Sequence, residues 1–384
     1  MRYHNPHQKN GTITTQVVCA VLFIGFTFCW LFYFQADMLA IAQHLLSGGE
    51  TSYHPLIGAL IITSVLMMLQ RPVLKQTKLR LISHALTYLP SFLLLAMLTS
   101  LTPGSEKMLS VHWLWIVPVV LLAWGLLVWW SKHVSFNPLK EPTHLFSRCV
   151  WQNALLMAVQ MLGVALMGNT NAVFRYRAHA ECSLVHGNIV EALQTGDRSL
   201  ETDVHLTMMR VYALSKKGEL ADRLFRYPLV GTSADMLPAT EDSHARLLFF
   251  SADSIWRHLG ARPASPMTTH RFLTLLERDS LATPAVADYR LCGCLLDKDL
   301  DGFARLLPRY YANTDSLPQH YREALTLYTH LRSHPLLVSN DTVMNEDWAD
   351  FSSMYDSYSD PNERRSKVAE HYLGSYWYYY YFKK

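Results

Sequence analysis

"ITTQVVCAVLFIGFTFCWLFYF", residues Ile13–Phe34, carries no charged side chain. An α-helix rises about 1.5 Å per residue, so roughly 20 apolar residues cross a hydrocarbon core about 30 Å thick. The stretch therefore predicts a membrane-spanning helix. Its apolar run is longer than the roughly 7–15 residues of a signal-peptide core, and no clean small-x-small cleavage pattern follows it, so it reads as a retained helix.

Four further apolar stretches follow, giving expected helices at about 13–34, 54–70, 81–102, 111–130 and 150–169. The second ends at Arg71-Pro72, and the fifth is the least apolar. The rest of the composition follows this division. Seven of the ten tryptophans precede residue 152, and only four acids (Asp37, Glu50, Glu106, Glu141) precede residue 170. Residues 1–169 carry ten Lys/Arg against four acids, a net +6; residues 170–384 carry 24 against 27, a net −3. A mildly acidic polar half lacks the basic footprint that nucleic acid requires.

Loop charges give the expected threading. Arg2 and Lys9 precede the first stretch; Arg71, Lys75, Lys78 and Arg80 lie between the second and third; Lys132, Lys140 and Arg148 lie between the fourth and fifth. The alternate loops hold only Lys107. Short cytoplasmic loops collect Lys and Arg, which puts the amino terminus inside. Five crossings then place residues 170–384 outside the cytoplasm, in the periplasm of a bacterial inner-membrane protein. Trp113 and Trp115 at one end of the fourth stretch, with Trp129 and Trp130 at the other, fit interfacial belts. No Asp, Glu, Lys or Arg lies inside the stretches, so His84 is the one titratable candidate for an intramembrane relay.

After Asn169 the pattern turns to helical hairpins. "AECSLVHGNIVEALQ" and "RVYALSKKGELADRLF" align on Gly187 and Gly218, with Ile189 matching Leu220 and Leu193 matching Leu224. This helix, glycine turn, helix pattern resembles the tetratricopeptide repeat over about 55 residues, although Arg223 stands where a small residue is expected. "EDSHARLLFFSADSIWRHLG" predicts an amphipathic helix with Leu248, Ala252, Ile255 and Leu259 on one face. "TPAVADYRLCGCLL" with "LDGFARLLPRYY" predicts a further hairpin. The expected fold is all-α: about five transmembrane helices in a domain over 1–169, then a soluble helical hairpin-repeat domain over 170–384.

Three motifs offer chemistry. "DKDLDG" places Asp297, Asp299 and Asp301 at positions 1, 3 and 5 of a calcium-loop opening, with Gly302 at position 6. These three are the candidate metal ligands. The twelfth position is Pro308 rather than a bidentate acid, so the alternative is an acidic turn that favours the next helix's N-terminus. Cys292 and Cys294 are two apart and point about 200° from each other on a helix, which suits packing rather than one shared ion. His330 and His334 share a helix face, with no acid at catalytic spacing and Pro335 ending the helix. No catalytic signature is present, and no cofactor beyond a possible calcium is expected.

The chain closes on "GSYWYYYYFKK", with every residue from Tyr376 to Phe382 aromatic. Asp360 caps and Pro361 opens a preceding helix that Gly374 interrupts. The rings can pack on the last hairpin, lie at the outer leaflet, or dock into a partner. Packing within the domain is expected, because so much exposed ring surface invites aggregation.

The "SYWYYYYF" ending, the leading spans and the helical domain together resemble an uncharacterised family of Bacteroidota multi-pass membrane proteins. That resemblance implies no activity. The expected role is a membrane-anchored scaffold whose helical surface binds another protein. The alternative is a membrane-embedded enzyme or transporter subunit acting on lipid-linked envelope substrates. Its candidate groups are Asp37, His44, Glu50, His54, Glu106 and His112 on the outward loops.

Overall fold

The computed structural model describes residues 6–79, 83–102, 104, 109–133, 148–312 and 316–383. Among them there is helix and loop but no strand. The chain separates into two compact units, Met1–Asn171 and Ala172–Lys384.

In the first unit, α1 (Pro6–Cys29) passes into a π-helical turn at Trp30–Phe34, followed by α2 (Ala36–Leu46) and α3 (Pro55–Thr77). A 3-10 turn, His84–Tyr88, leads into α4 (Leu89–Thr99); α5 (Trp113–His133) and α6 (Arg148–Met167) complete the unit. Four helices, Ile13–Phe34, Pro55–Thr77, Trp113–His133 and Arg148–Met167, have the length and apolarity to cross a membrane. On α5 only Trp113 and Val128 are buried, while Leu114, Trp115, Leu122 and Leu126 stand on its open surface. A helix that is apolar on all sides and uncovered by protein suits a lipid environment.

Two stretches differ from the sequence expectation. The second does not stop at Arg71-Pro72. α3 runs through Pro72 to Thr77 and ends on Lys78 at φ +56°, since a proline forfeits one N–H without obliging the helix to stop. The third is a shorter apolar element, His84–Thr99, whose first turn is 3-10 and buried. Its irregular backbone is satisfied by side chains. Asn153 Oδ1 accepts from Ala85 N–H at 2.8 Å, Gln160 Nε2 donates to Ala85 C=O at 3.1 Å, and Trp124 Nε1 donates to Leu86 C=O at 2.8 Å. Non-helical backbone at membrane depth needs such partners. Asn153, Met157, Gln160 and Val164 form one stripe on α6, which explains why that stretch is the least apolar of the set. Arg2, Arg80, Lys107 and Lys140 lie outside the described residues.

The second unit is built around a continuous apolar core. α7 (Ala172–Val185) and α8 (Ile189–Gln194) form a hairpin across Gly187, as α9 (Val204–Lys217) and α10 (Leu220–Arg223) do across Gly218. Both glycines are left-handed, at φ +76° and +73°. Their closures match: Gly187 N–H bonds Leu184 C=O and Asn188 N–H bonds Ser183 C=O; Gly218 N–H bonds Ser215 C=O and Glu219 N–H bonds Leu214 C=O. This is the paired-bond helix end that favours glycine. Behind α8, the buried Arg210 guanidinium holds the carbonyls of Thr195, Gly196 and Pro228. Burial pulls its pKa down to about 10.

The helix expected over 241–260 is shorter than its pattern. Only α11 (Ala252–Leu259) forms, capped by Ser251. The preceding segment is held irregular by one carboxylate. Oε2 of the fully buried Glu181 accepts from three successive amides, Leu248, Phe249 and Phe250, at 2.9, 2.6 and 3.1 Å. Those amides are thereby withdrawn from any helix. Arg177 Nε reaches Glu181 Oε1 at 3.2 Å, and its Nη2 reaches Arg246 C=O at 2.6 Å.

His205 fastens the same segment, with Nδ1 accepting from Arg246 N–H at 3.0 Å. Burial, and then the Arg177 guanidinium, hold its pKa below the ordinary imidazole range. His258, with Nε2 2.8 Å from Ser215 Oγ, is also depressed by burial. The unfolded chain thus takes up protons on these rings before the folded one does. Stability is fully present above about pH 6.5 and is lost as pH falls through the lower folded values. We expect the denaturant midpoint to drop between pH 7.5 and 5, and the His205→Gln/His258→Gln double variant to flatten that slope. An unchanged slope in the variant refutes the assignment.

The remaining helices are α12 (Thr269–Arg278), α13 (Ala285–Leu296), α14 (Leu300–Tyr310), α15 (Gln319–Leu331), α16 (Thr342–Ser357), α17 (Pro361–Tyr372) and α18 (Tyr376–Phe382). The terminal rings are therefore helical, and Tyr376, Trp377 and Tyr379 are buried. Trp377 meets Trp348 edge-on at 5.4 Å, and Phe225 contacts Tyr376 and Tyr379 at 5.0 and 4.7 Å. Gly374, at φ +96°, makes the corner between α17 and α18. A Cβ there would lie 3.2 Å from the Arg226 backbone.

Candidate functional site

The turn between α13 and α14 contains the "DKDLDG" motif. It closes with the same bond pattern as the two glycine hairpins: Lys298 N–H bonds Leu295 C=O and Asp299 N–H bonds Cys294 C=O. The left-handed position is taken by Lys298 at φ +58°, which costs roughly 1–2 kcal/mol for a residue with a Cβ. The side chain gives a return. Its ammonium donates to the carbonyls of Tyr380, at 2.9 Å, and Lys383. These lie in the last turn and cap of α18, where a cation is favoured.

The three aspartates do not converge. Asp297 accepts from Ser233 N–H and Oγ, at 2.8 and 2.5 Å. Asp299 caps α14 through the Gly302 N–H at 2.8 Å. Asp301 turns to Arg332, at 2.7 Å. Among the described residues, no group of three His, Cys, Asp or Glu side chains could hold a metal ion. Asp299 thus plays the helix-capping part that the sequence offered as the alternative to calcium.

The turn does border a cavity of 440 Å³, walled by Ser233, Thr269, His270, α12, α13 and α14. Leu273, Leu306, Tyr289 and Gly293 supply its apolar wall, and Asp297 and Asp299 its acids. Its two arginines differ. Arg290 is committed to Glu277 and the Tyr310 hydroxyl. Arg305 is exposed and, among the described residues, has no hydrogen bond or ion pair. Among the described residues the His270 ring likewise has no hydrogen bond. Burial pushes the Cys294 thiol up to about 11 and raises Cys292 well above its ordinary value, so both stay protonated at neutral pH. That fits the packing role read from their spacing. The cavity was not visible in the sequence, because Ser233 and Thr269 reach it from distant segments.

The other singled-out groups do not line it. His330 stacks on Trp348 and bonds Asn345. His84 is buried in the first unit with Nδ1 unpartnered. His112 Nδ1 lies 2.7 Å from Ser110 Oγ, and Glu106 falls outside the described residues.

These features define an all-α protein in which four potential membrane-spanning helices precede a separate helical unit with a cavity lined by both charges. Residues 264–383, which hold α12 to α18 and most of the cavity wall, match the model of a family of unknown function (DUF6057). The chain matches no curated protein and no solved structure.

Proposed function

We propose that this chain is a membrane-anchored binding protein. Its first unit fixes it in a bacterial inner membrane, and its hairpin-repeat unit captures another protein on the periplasmic side. The observation that carries this reading is the cavity beside the 297–302 turn, lined by an arginine that makes no hydrogen bond among the described residues and by the protonated Cys294 thiol. Such a site holds a ligand by charge and shape and offers no activated nucleophile. The excess of Lys and Arg in alternate loops supports the outward placement when the shorter His84–Thr99 element is counted as a fifth crossing. A concave stack of helical hairpins is a common platform for partner proteins. A photo-crosslinking residue at His270 or Arg305, in the full chain in native membranes, should yield one adduct of discrete mass. Its absence from both positions removes the reading.

A further inference from the structure

We propose that the cavity beside the 297–302 turn binds a C-terminal amino-acid residue, free or at the end of a peptide. The α-carboxylate sits on Arg305, the α-nitrogen on Asp297 and Asp299, and an apolar side chain on Leu273 and Leu306. The inference deepens the binding-protein reading and rests on it.

The lining charges decide the ligand's chemistry. Among the described residues Arg305 makes no hydrogen bond or ion pair, its charge acting only at longer range on Asp301 and Cys294, whereas Arg290 is already neutralised by Glu277. A simple anion drawn to Arg305 would face two carboxylates, and a simple cation drawn to those carboxylates would face Arg305. A ligand that sets an N–H donor, ammonium or amide, beside its carboxylate satisfies both. The acids keep the capacity for it. A carboxylate accepts about four hydrogen bonds; Asp297 uses two on Ser233, and Asp299 uses one oxygen on Gly302. An α-amino acid places its nitrogen two bonds from its carboxylate carbon, so one small ligand can address an arginine and acids that line the same cavity. The third substituent then meets the apolar wall. Tyr289 contributes to that wall, and its buried hydroxyl has no hydrogen-bond partner. A volume of 440 Å³ lies within the usual range of small-ligand sites, about 300–1,000 Å³.

The test is calorimetric titration of the full-length chain in detergent micelles with three probes: L-leucine, Gly-Gly-Leu and Gly-Gly-Leu amide. We expect binding of leucine or of the free-acid tripeptide, and whichever binds identifies the source. The amide should bind at least about tenfold more weakly, since it lacks the charge that pairs with the guanidinium. Arg305→Gln should cost a similar factor at an unchanged thermal midpoint, because Arg305 is exposed and holds nothing in the fold. Binding of no probe overturns the proposal, as does equal binding of acid and amide or wild-type affinity in Arg305→Gln. A His270 crosslink that persists while every probe fails leaves the binding-protein reading standing and removes this one alone.

Discussion

Trp377→Ala should destabilise the second unit by about 3–5 kcal/mol, and a chain stopped after Gly374 should lose cooperative unfolding there. Trp377 is 2% exposed. Its indole donates to Glu323 C=O at 2.7 Å and packs on Trp348 and Phe351. Removal thus leaves a large cavity and takes a second, buried hydrogen bond from a helical carbonyl. The truncation goes further. Glu323 Oε2, buried beside the fully buried His320, also accepts from Tyr376 N–H at 2.6 Å. The Tyr379 hydroxyl donates to Leu296 C=O at 2.8 Å, and Lys298 loses the carbonyls that compensate its left-handed backbone. A domain is typically stable by only 5–15 kcal/mol, so these losses together approach the whole margin. The check is denaturant unfolding of the full-length protein in micelles, with hydrogen exchange on α15 and α16. A Trp377→Ala midpoint within 1 kcal/mol of wild type would mean the ring helix is an ornament on a finished core.

Legibility tracked how local each cause is. Ile13–Phe34 was plain because apolar length alone decides it. Gly187 and Gly218 were plain because a left-handed helix end favours glycine. Lys298 makes the same turn, and its motif drew attention as a possible calcium loop instead. The compensating carbonyls of α18 lie more than 80 residues away. Asp297 and Asp301 likewise follow partners at Ser233 and Arg332 that no local spacing reveals. The unwound start of the third apolar stretch depends on Asn153 and Gln160, 68 and 75 residues downstream. In each case a distant polar side chain overrode a sound local pattern. The cavity is a further instance: its walls come from three helices and a loop, and Arg305 is distinguished from Arg290 only by its lack of a hydrogen-bonded partner among the described residues.

Replacing Glu181 by leucine should cost about 3–5 kcal/mol, the loss expected when one member of a buried ion pair is removed. The side chain is 0% exposed, and its two oxygens serve Arg177 and three backbone amides. Leucine leaves the Arg177 charge buried beside an apolar group and strands the amides of Leu248, Phe249 and Phe250. The double variant Arg177→Met/Glu181→Leu separates these two costs. It removes the uncompensated charge, so it should be more stable than Glu181→Leu alone. It should still fall below wild type, because the stranded amide of the buried Phe250 costs about 1–3 kcal/mol. Hydrogen exchange should localise the defect to 244–250 and leave α13 protected. If the amides instead join α11 as an extra helical turn, the single variant will show little loss and the double none. That result would mean that the amphipathic pattern read over 241–260 was the intrinsic preference of this segment, and that Glu181 suppresses a helix rather than supporting a loop.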